Sequence, residues 1–532
     1  MRPRFLSVRR APPRPRGRAA LASALALTTF LALGGCTLGR DTEPTPTEPP
    51  ERPASTGTLR VGYPEEPVSL NPIRAASAPA LDVLRAVLPS FHLVSPDLRY
   101  RPYLLAAEPR VAVAGDRMTV TFVIREDARW SDGRPVTVDD VRFTWRVMTD
   151  PELPVEVRDG FNRVVAVEKA SEKEGTLVLS PPFARWRDLF SAGRFVLPAH
   201  EGSLKDVAEW DRGPPETAGP FRLGRWVGGR SITLVADPTF WGPTALLRRI
   251  DVVFVPDPTT AIHLLRKGRL EAVAPMPGVA WGQRLAAVPG VSLSEAYGPD
   301  LVHLAMNTDR LDRADVRRRL AAAIDRDRFV EVLLRGEGRR ADGVLAPQQG
   351  GAVPGWAGYG RGDAENVDVD VELSLAYPRG EILDLLAKYV RAELGRAGVD
   401  VELVPLDAEV FHDSWLPERR FDLALWEIRG GPSPWLGRWF DRGSGEGPTG
   451  LRDAALDALL ARADRGGARG AAALRQAQER LARLTPVLPL FQPQVTVAWR
   501  SEVAGLQANP TVDGVLWNAW QWSMTEEADL PA

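Results

Sequence analysis

Alternation of apolar and polar residues along the chain predicts many short β-strands. Between Arg117 and Arg125 every second residue is apolar, which is the pattern of a strand with one buried face. Comparable short patterns predict further strands at 59–63, 163–168, 175–180, 221–226, 231–236, 250–255, 301–306, 371–376, 400–404, 421–426 and 494–499. Strands therefore dominate the first half of the chain.

Helical spacing predicts the remaining elements. A helix should begin at Thr137, where Asp140 stands in the position of a capping box, and should end at Asp150, which precedes a proline. Further helices are predicted at 258–267, 313–324, 326–335, 380–397, 451–463 and 468–484. The helix at 380–397 is followed directly by a strand pattern, which predicts an α/β arrangement in the second half.

The first 35 residues have the pattern of an export signal. Seven arginines and no acidic residue precede an apolar run from Ala19 to Leu33, and Gly34, Gly35 and Cys36 follow. Small residues before a cysteine resemble a bacterial lipobox, so Cys36 is expected to carry lipid and to anchor the chain in the membrane. Residues 36–56 are rich in proline and threonine and are expected to form a tether, and the acidic end at 523–532 is expected to fray.

Length and composition exclude several classes of protein. The remaining chain of about 475 residues exceeds one compact core, so at least two lobes are expected. Without the leader it has 60 basic and 69 acidic residues, which argues against nucleic acid as a partner. Cys36 is the only cysteine of the chain, so neither disulfides nor thiol chemistry are expected beyond it.

Motifs of catalysis are missing from the sequence. The five histidines are scattered, no HExxH or phosphate-binding loop is present, and no GxSxG surrounds a serine. We therefore predict that the chain is not an enzyme and holds neither a metal nor a cofactor.

One long stretch resembles a known family. The residues from Trp130 to Trp145, WSDGRPVTVDDVRFTW, are similar to the signature of the family 5 extracellular solute-binding proteins, which are receptors of ABC importers for peptides, nickel or oligosaccharides. Other segments agree in the same order: AGPFRL followed by Trp226, DPTFWG at 237–242, LAMN at 304–307 and VRRRL at 316–320. The signature itself is expected to be scaffold that does not touch the ligand.

This resemblance implies an α/β fold of the type II periplasmic-binding-protein class, with two lobes and an extra subdomain. It implies a division into lobe I at 57–75, 185–275 and 487–522, a subdomain at 76–184 and lobe II at 276–486. Hinge strands are expected near Val255–Asp257 and Leu488–Leu490. The lobes are expected to close over a ligand.

The resemblance also suggests ligand-binding residues. Peptide receptors of this family often carry a Trp-x-x-Asp motif, whose tryptophan lines the pocket and whose aspartate pairs with the ammonium group of the peptide. Here Trp426 matches, as a pocket wall or else as core, and Arg429 stands in place of the aspartate. Glu427 is the nearby carboxylate. An arginine favours an acidic ligand over a free peptide N-terminus, although Arg429 could equally pair with Glu427 or face solvent. Further pocket candidates, each of which could instead be core or surface, are Asn307, Trp281, Trp435 and Tyr63.

The predicted function is that of an extracytoplasmic solute-binding lipoprotein. It would be a monomer, held by lipid on the outer face of the cytoplasmic membrane, and would deliver a peptide-like or other small polar ligand to an ABC permease and its ATPase. The alternative is a surface receptor that senses a ligand for a signalling or cell-envelope partner and transports nothing.

Overall fold

The computed structural model describes residues 57–75, 77–359, 367, 372–428, 430–441 and 447–525. The strands are β1 Thr58–Tyr63, β2 His92–Val94, β3 Tyr100–Pro102, β4 Arg110–Ala114, β5 Arg117–Val123, β6 Val164–Lys169, β7 Glu174–Leu179, β8 Phe221–Val227, β9 Ser231–Ala236, β10 Arg249–Phe254, β11 Ala272–Val273, β12 Val291–Tyr297, β13 Leu301–Met306, β14 Gly338–Arg340, β15 Leu373–Pro378, β16 Val401–Leu406, β17 Leu423–Ile428, β18 Val487–Arg500, β19 Val503–Ala504 and β20 Ser523–Met524. The α-helices are α1 Ala78–Val87, α2 Val138–Thr149, α3 Pro258–Arg266, α4 Trp281–Ala286, α5 Ala314–Ala323, α6 Arg326–Arg328, α7 Glu381–Arg396, α8 Ala408–Val410, α9 Leu416–Glu418, α10 Gly437–Phe440, α11 Ala454–Asp464 and α12 Gly467–Leu484.

Most predicted elements are present. The helix expected to begin at Thr137 is α2, and its capping box is formed: Thr137 Oγ1 accepts a hydrogen bond from Asp139 N, and Asp140 accepts one from Thr137 N at 2.7 Å. The helix expected at 380–397 is α7, which connects the parallel strands β15 and β16 in a βαβ unit. The predicted α/β arrangement of the second half is therefore confirmed.

The long strand β18 belongs to two sheets. Its first half, Val487–Phe491, pairs with β13, and its second half, Gln494–Arg500, pairs with β12. In one direction the order of strands runs from β18 through β13, β17 and β15 to β16, and in the other through β11, β1, β10 and β9 to β8. A separate four-stranded sheet, β4-β5-β7-β6, shares an apolar core with the second group of strands.

The strand pairing divides the chain into two lobes, which we name here. Lobe I comprises 57–297 and 494–525, and lobe II comprises the described residues of 301–491. Two large apolar cores follow this division, one within each lobe, and a smaller third core formed around α3 and α4 belongs to lobe I. The chain crosses between the lobes at 298–300 and at 492–493. The domain boundaries and the hinge positions expected from the sequence remain predictions.

Within the described residues, no helix combines the length and apolarity that crossing a membrane requires. Cys36 and the expected tether lie outside the described residues. The same holds for most of the expected frayed tail, because the described chain ends at Thr525.

Candidate functional site

A cavity of about 560 Å³ lies where the two lobes meet. Lobe I contributes most of its lining, from α2 and from the segments at 158–164 and 183–185, and lobe II contributes Trp435 and Asp464. Its size is in the range of pockets that hold small organic ligands. Because both lobes line it, a relative movement of the lobes would open or close this cavity.

Arg185 and Trp435 form the central contact across this cavity. The guanidinium carbon of Arg185 lies 3.8 Å from the centre of the Trp435 ring, and the ring of Phe183 lies 4.8 Å away from the same carbon. Arg185 is only 5% exposed, and its Nε has no hydrogen-bond partner among the described residues. Burial lowers the pKa of Arg185, and the nearby charge of Asp188 opposes this shift.

Asp188 pairs with Arg185 and, through Tyr100, connects it to lobe II. Its carboxylate lies 3.6 Å from Arg185 Nη1 and accepts a hydrogen bond from the Tyr100 hydroxyl, which itself lies 2.9 Å from Ser433 Oγ of lobe II. Burial raises the pKa of Asp188, and the positive charges of Arg185 and Arg194 oppose that shift. The ion pair with Asp188, whose carboxylate is itself held by Tyr100, keeps the buried charge of Arg185 compensated.

Further contacts join the lobes around this cluster. Ala184 N donates to the carbonyl of Asp464 at 2.7 Å, and Arg465 Nη1 lies 3.0 Å from Asp116. Elsewhere along the boundary, Gln283 of lobe I donates to Glu337 and to the carbonyl of Arg335 in lobe II. The lobes are thus in contact on more than one side.

The structure distributes the residues selected from the sequence over several places. Trp435 lines the interlobe cavity, whereas Trp426 is buried in the core of lobe II, with its ring centre 4.8 Å from that of Trp439. Glu427 lies next to Trp426 in β17 and is half-buried. Arg429 lies outside the described residues, so its role stays a prediction.

The other three candidates have partners away from this cavity. Asn307 is buried at the far end of β13, where its Nδ2 donates to the carbonyls of Arg419 and Phe421. Trp281 lies in the small core of lobe I, and the Tyr63 hydroxyl donates to Asp82 at 2.7 Å. Their suggested ligand contacts also stay predictions.

Sequence reasoning did not find Arg185, Asp188, Tyr100 and Ser433. Tyr100 lies in the short strand β3, Arg185 and Asp188 lie at the two ends of a single helical turn, and Ser433 lies in a loop. Tyr100 is 88 residues from Asp188 and 333 residues from Ser433 along the chain, so no local pattern marks these contacts. The expectation that the family signature does not touch the ligand stays a prediction, although Trp145, its last residue, lines the cavity. A second cavity of about 620 Å³ lies within lobe I and is lined by Trp241, Trp517 and Trp520, among others.

Comparison with known proteins identifies the family. The family model described as bacterial extracellular solute-binding proteins, family 5 Middle, matches residues 101–445, which is more than half of the chain. The chain belongs to this family. Its members are extracytoplasmic substrate-binding proteins of ABC importers, which agrees with the prediction that the chain is not an enzyme.

Similar proteins support the same assignment. Protein XP55 of Streptomyces lividans is 30% identical over 255 residues, which are 47% of this chain and 45% of that protein. The oligopeptide-binding protein OppA of Mycobacterium bovis is 26% identical over 513 residues, which are 86% of this chain and 83% of that protein. The chain thus spans about half the length of some curated relatives, XP55 among them, and most of the length of others.

A solved structure shows the same fold. The periplasmic EDTA-binding protein EppA superposes with a TM-score of 0.80 at 22% sequence identity, and the match covers 89% of this chain and 97% of that one. The predicted α/β fold of the type II periplasmic-binding-protein class is therefore confirmed.

Proposed function

We propose that this protein captures a small polar solute bearing an acidic group, between its two lobes, and delivers it to an ABC permease and its ATPase. The observation that carries the proposal is the interlobe cavity, in which Arg185 of lobe I meets Trp435 of lobe II. A ligand that fills this space touches both lobes at once, so its binding energy favours their contact.

The charge of the cavity supports an acidic ligand. Three arginines line it, Arg158, Arg163 and Arg185, against two aspartates, Asp159 and Asp464. Arg185 offers a buried Nε without a partner among the described residues, and hydrogen bonds to a charged donor are about twice as strong as neutral ones. EppA, which has this fold, is named for binding EDTA, a polycarboxylate.

The proposed delivery to an importer rests on the family and on the leader sequence. Lipid on Cys36 would hold the receptor beside its permease, and the Pro/Thr-rich segment that follows would act as the tether. Replacement of Cys36 by alanine should release the protein from the membrane fraction of the cells. Protein that stays in the membrane fraction as before would contradict the anchor without touching the proposal on the ligand.

The proposal of an acidic ligand is tested by first identifying the molecule that the native protein binds. The native protein is purified and its bound small molecule is determined by mass spectrometry, and binding of that molecule is then measured by titration calorimetry. Arg185→Ala and the more conservative Arg185→Lys should weaken the binding by roughly ten- to a hundredfold, as expected for the loss of a charge-assisted contact of about 1.5–3 kcal/mol. Arg429→Ala is the parallel test of the residue selected from the sequence.

Arg187→Ala is the matched control, because Arg187 lies two residues from Arg185, in the short helix Trp186–Asp188, but pairs with Glu108 outside the cavity. It should bind the ligand as the wild type does. Free peptides that bind at micromolar concentration, unaffected by either substitution at Arg185, would refute the acidic-ligand proposal.

A further inference from the structure

A cluster of three side chains with metal-binding atoms lies outside the interlobe cavity. His200 Nε2 is 3.2 Å from Asp132 Oδ2 and 3.4 Å from Glu201 Oε1. All three ligand atoms lie within 4.8 Å of one another. Asp132 belongs to the turn that follows Trp130, and His200 and Glu201 lie in the short helix Ala199–Glu201, so the cluster joins two distant parts of lobe I.

The distances between the three side chains fit ligands that share one metal ion. Zinc binds histidine nitrogen and carboxylate oxygen at about 2.0–2.2 Å with tetrahedral geometry, so two such ligands of one ion stand roughly 3.4 Å apart. The two measured separations from His200 Nε2 already have this length. Nε2 is buried and makes no hydrogen bond within the described part of the chain, although two carboxylate oxygens face it.

The surroundings hold the three ligands in place. Asp140 accepts a hydrogen bond from Trp130 Nε1 at 3.3 Å and another from Ala199 N at 2.8 Å, so one buried carboxylate ties together the segments that carry the ligands. The backbone N–H of Arg134 donates to Asp132 Oδ1 at 2.9 Å. Preformed ligand positions reduce the entropy that metal binding would otherwise have to overcome.

Although the scattered histidines of the sequence predict no metal site, the fold brings three ligand side chains together, and we propose that Asp132, His200 and Glu201 form a site for a divalent transition-metal ion of the zinc type. One nitrogen and two carboxylate oxygens are ligands that zinc accepts, and water completes the fourth position. The ion would connect the turn after Trp130 to the segment at 198–202. Its role would be structural, since the site uses no residue of the interlobe cavity, and the proposal is independent of the transported ligand.

The guanidinium of Arg134 would compete with a metal ion for Asp132. Its Nε lies 3.3 Å from Asp132 Oδ2, and its side chain is 60% exposed and free to turn away. A metal ion at the site would replace the guanidinium as the counterion of Asp132. Removal of Arg134 should therefore strengthen metal binding, whereas removal of a ligand should weaken it.

The test uses the untagged full chain, purified in detergent and freed of metal with a chelator that is then dialysed away. Zinc chloride is titrated calorimetrically, and bound zinc is counted by elemental mass spectrometry. We expect one zinc per chain in the wild type, tighter binding in Arg134→Ala, and binding at least about tenfold weaker in His200→Ala and in the isosteric Asp132→Asn. Zinc should also raise the melting temperature of the wild type but not that of these two ligand variants.

His263→Ala is the control, because His263 is an exposed histidine on α3 outside the cluster. It should keep the wild-type affinity. If the wild type binds no stoichiometric zinc, or if His200→Ala and Asp132→Asn bind it as the wild type does, the three residues form only an ion pair and the proposal is wrong. Asp132→Asn preserves the size of the side chain, so it stays informative even if His200→Ala does not fold.

Discussion

Gly514 lies so close to Asp82 that a Cβ on Gly514 would be 1.4 Å from Asp82 Oδ1. Gly514 also has φ +57° and ψ −160°, a backbone conformation that is essentially restricted to glycine and costs other residues about 1–3 kcal/mol. It precedes the short helix Val515–Gln521, whose first N–H donates to Asp82 Oδ2 at 3.1 Å. The carboxylate of Asp82, on α1, is thus enclosed by Gly514 and Val515 in the C-terminal part of lobe I.

Gly514→Ala should destabilise the protein by more than a change of backbone conformation alone. The methyl group would have to displace a buried carboxylate, so the free energy of unfolding should fall by about 3 kcal/mol or more, which chemical denaturation can measure. Gly115→Ala is the control for a glycine of positive φ: its φ is +60°, but nothing lies within 4 Å of the added Cβ. Equal losses in the two variants would show that the contact with Asp82 has no energetic weight.

Asp82 should make the stability of the protein depend on pH. Burial raises the pKa of Asp82 to about 7, against hydrogen bonds from Tyr63 and Val515 that lower it. The pKa in the unfolded chain is about 3.9, so the folded state retains a proton that the unfolded state has already released. The contribution of Asp82 to stability therefore falls as the pH rises from about 4 to 7, by up to about 4 kcal/mol.

Asp82→Asn removes this titration and nearly preserves the shape of the side chain. The free energy of unfolding of the variant, relative to that of the wild type, should increase between about pH 4 and 7 and level off above pH 7. A constant difference would only report altered hydrogen bonds to Tyr63 and Val515. Parallel pH profiles of the two proteins would contradict the assignment of the titration to Asp82.

Trp435 should matter for the ligand more than other half-buried tryptophans do. Trp435→Ala removes the ring that stacks on Arg185, and a desolvated cation–π contact is worth about 2 kcal/mol or more. We expect the affinity for the co-purified ligand to fall at least tenfold in a calorimetric titration. Trp517→Ala, which alters the separate cavity within lobe I, should leave that affinity unchanged.

Thr137 should stabilise α2 through its capping box. Thr137→Ala removes the acceptor for Asp139 N and should lower the free energy of unfolding by about 1 kcal/mol. Thr149→Ala is the control at the other end of the same helix, where the exposed hydroxyl donates back to the carbonyls of Trp145 and Arg146, which lie within the helix. A thermal melt in which both variants match the wild type would argue against a contribution from the cap.

Local patterns in the sequence predicted most helices and many strands, because periodicity and capping depend on neighbouring residues. The family signature predicted the fold. The site was harder to predict: Arg185 meets Trp435 and Tyr100 meets Ser433 only after both lobes have formed. Residues so far apart along the chain produce no recognisable local motif. Trp426, which was selected by a motif, is buried in the core of lobe II.

The position of β18 near the C-terminus affects how the chain can fold during synthesis. Its residues 487–500 pair with β11, β12, β13 and β14, strands that are made some 150 to 230 residues earlier. Neither sheet can therefore be completed until nearly the whole chain has left the ribosome, and pairings of such long separation form slowly. An exported chain gains from this delay, because a chain without a finished core is still extensible enough to be threaded through a narrow channel.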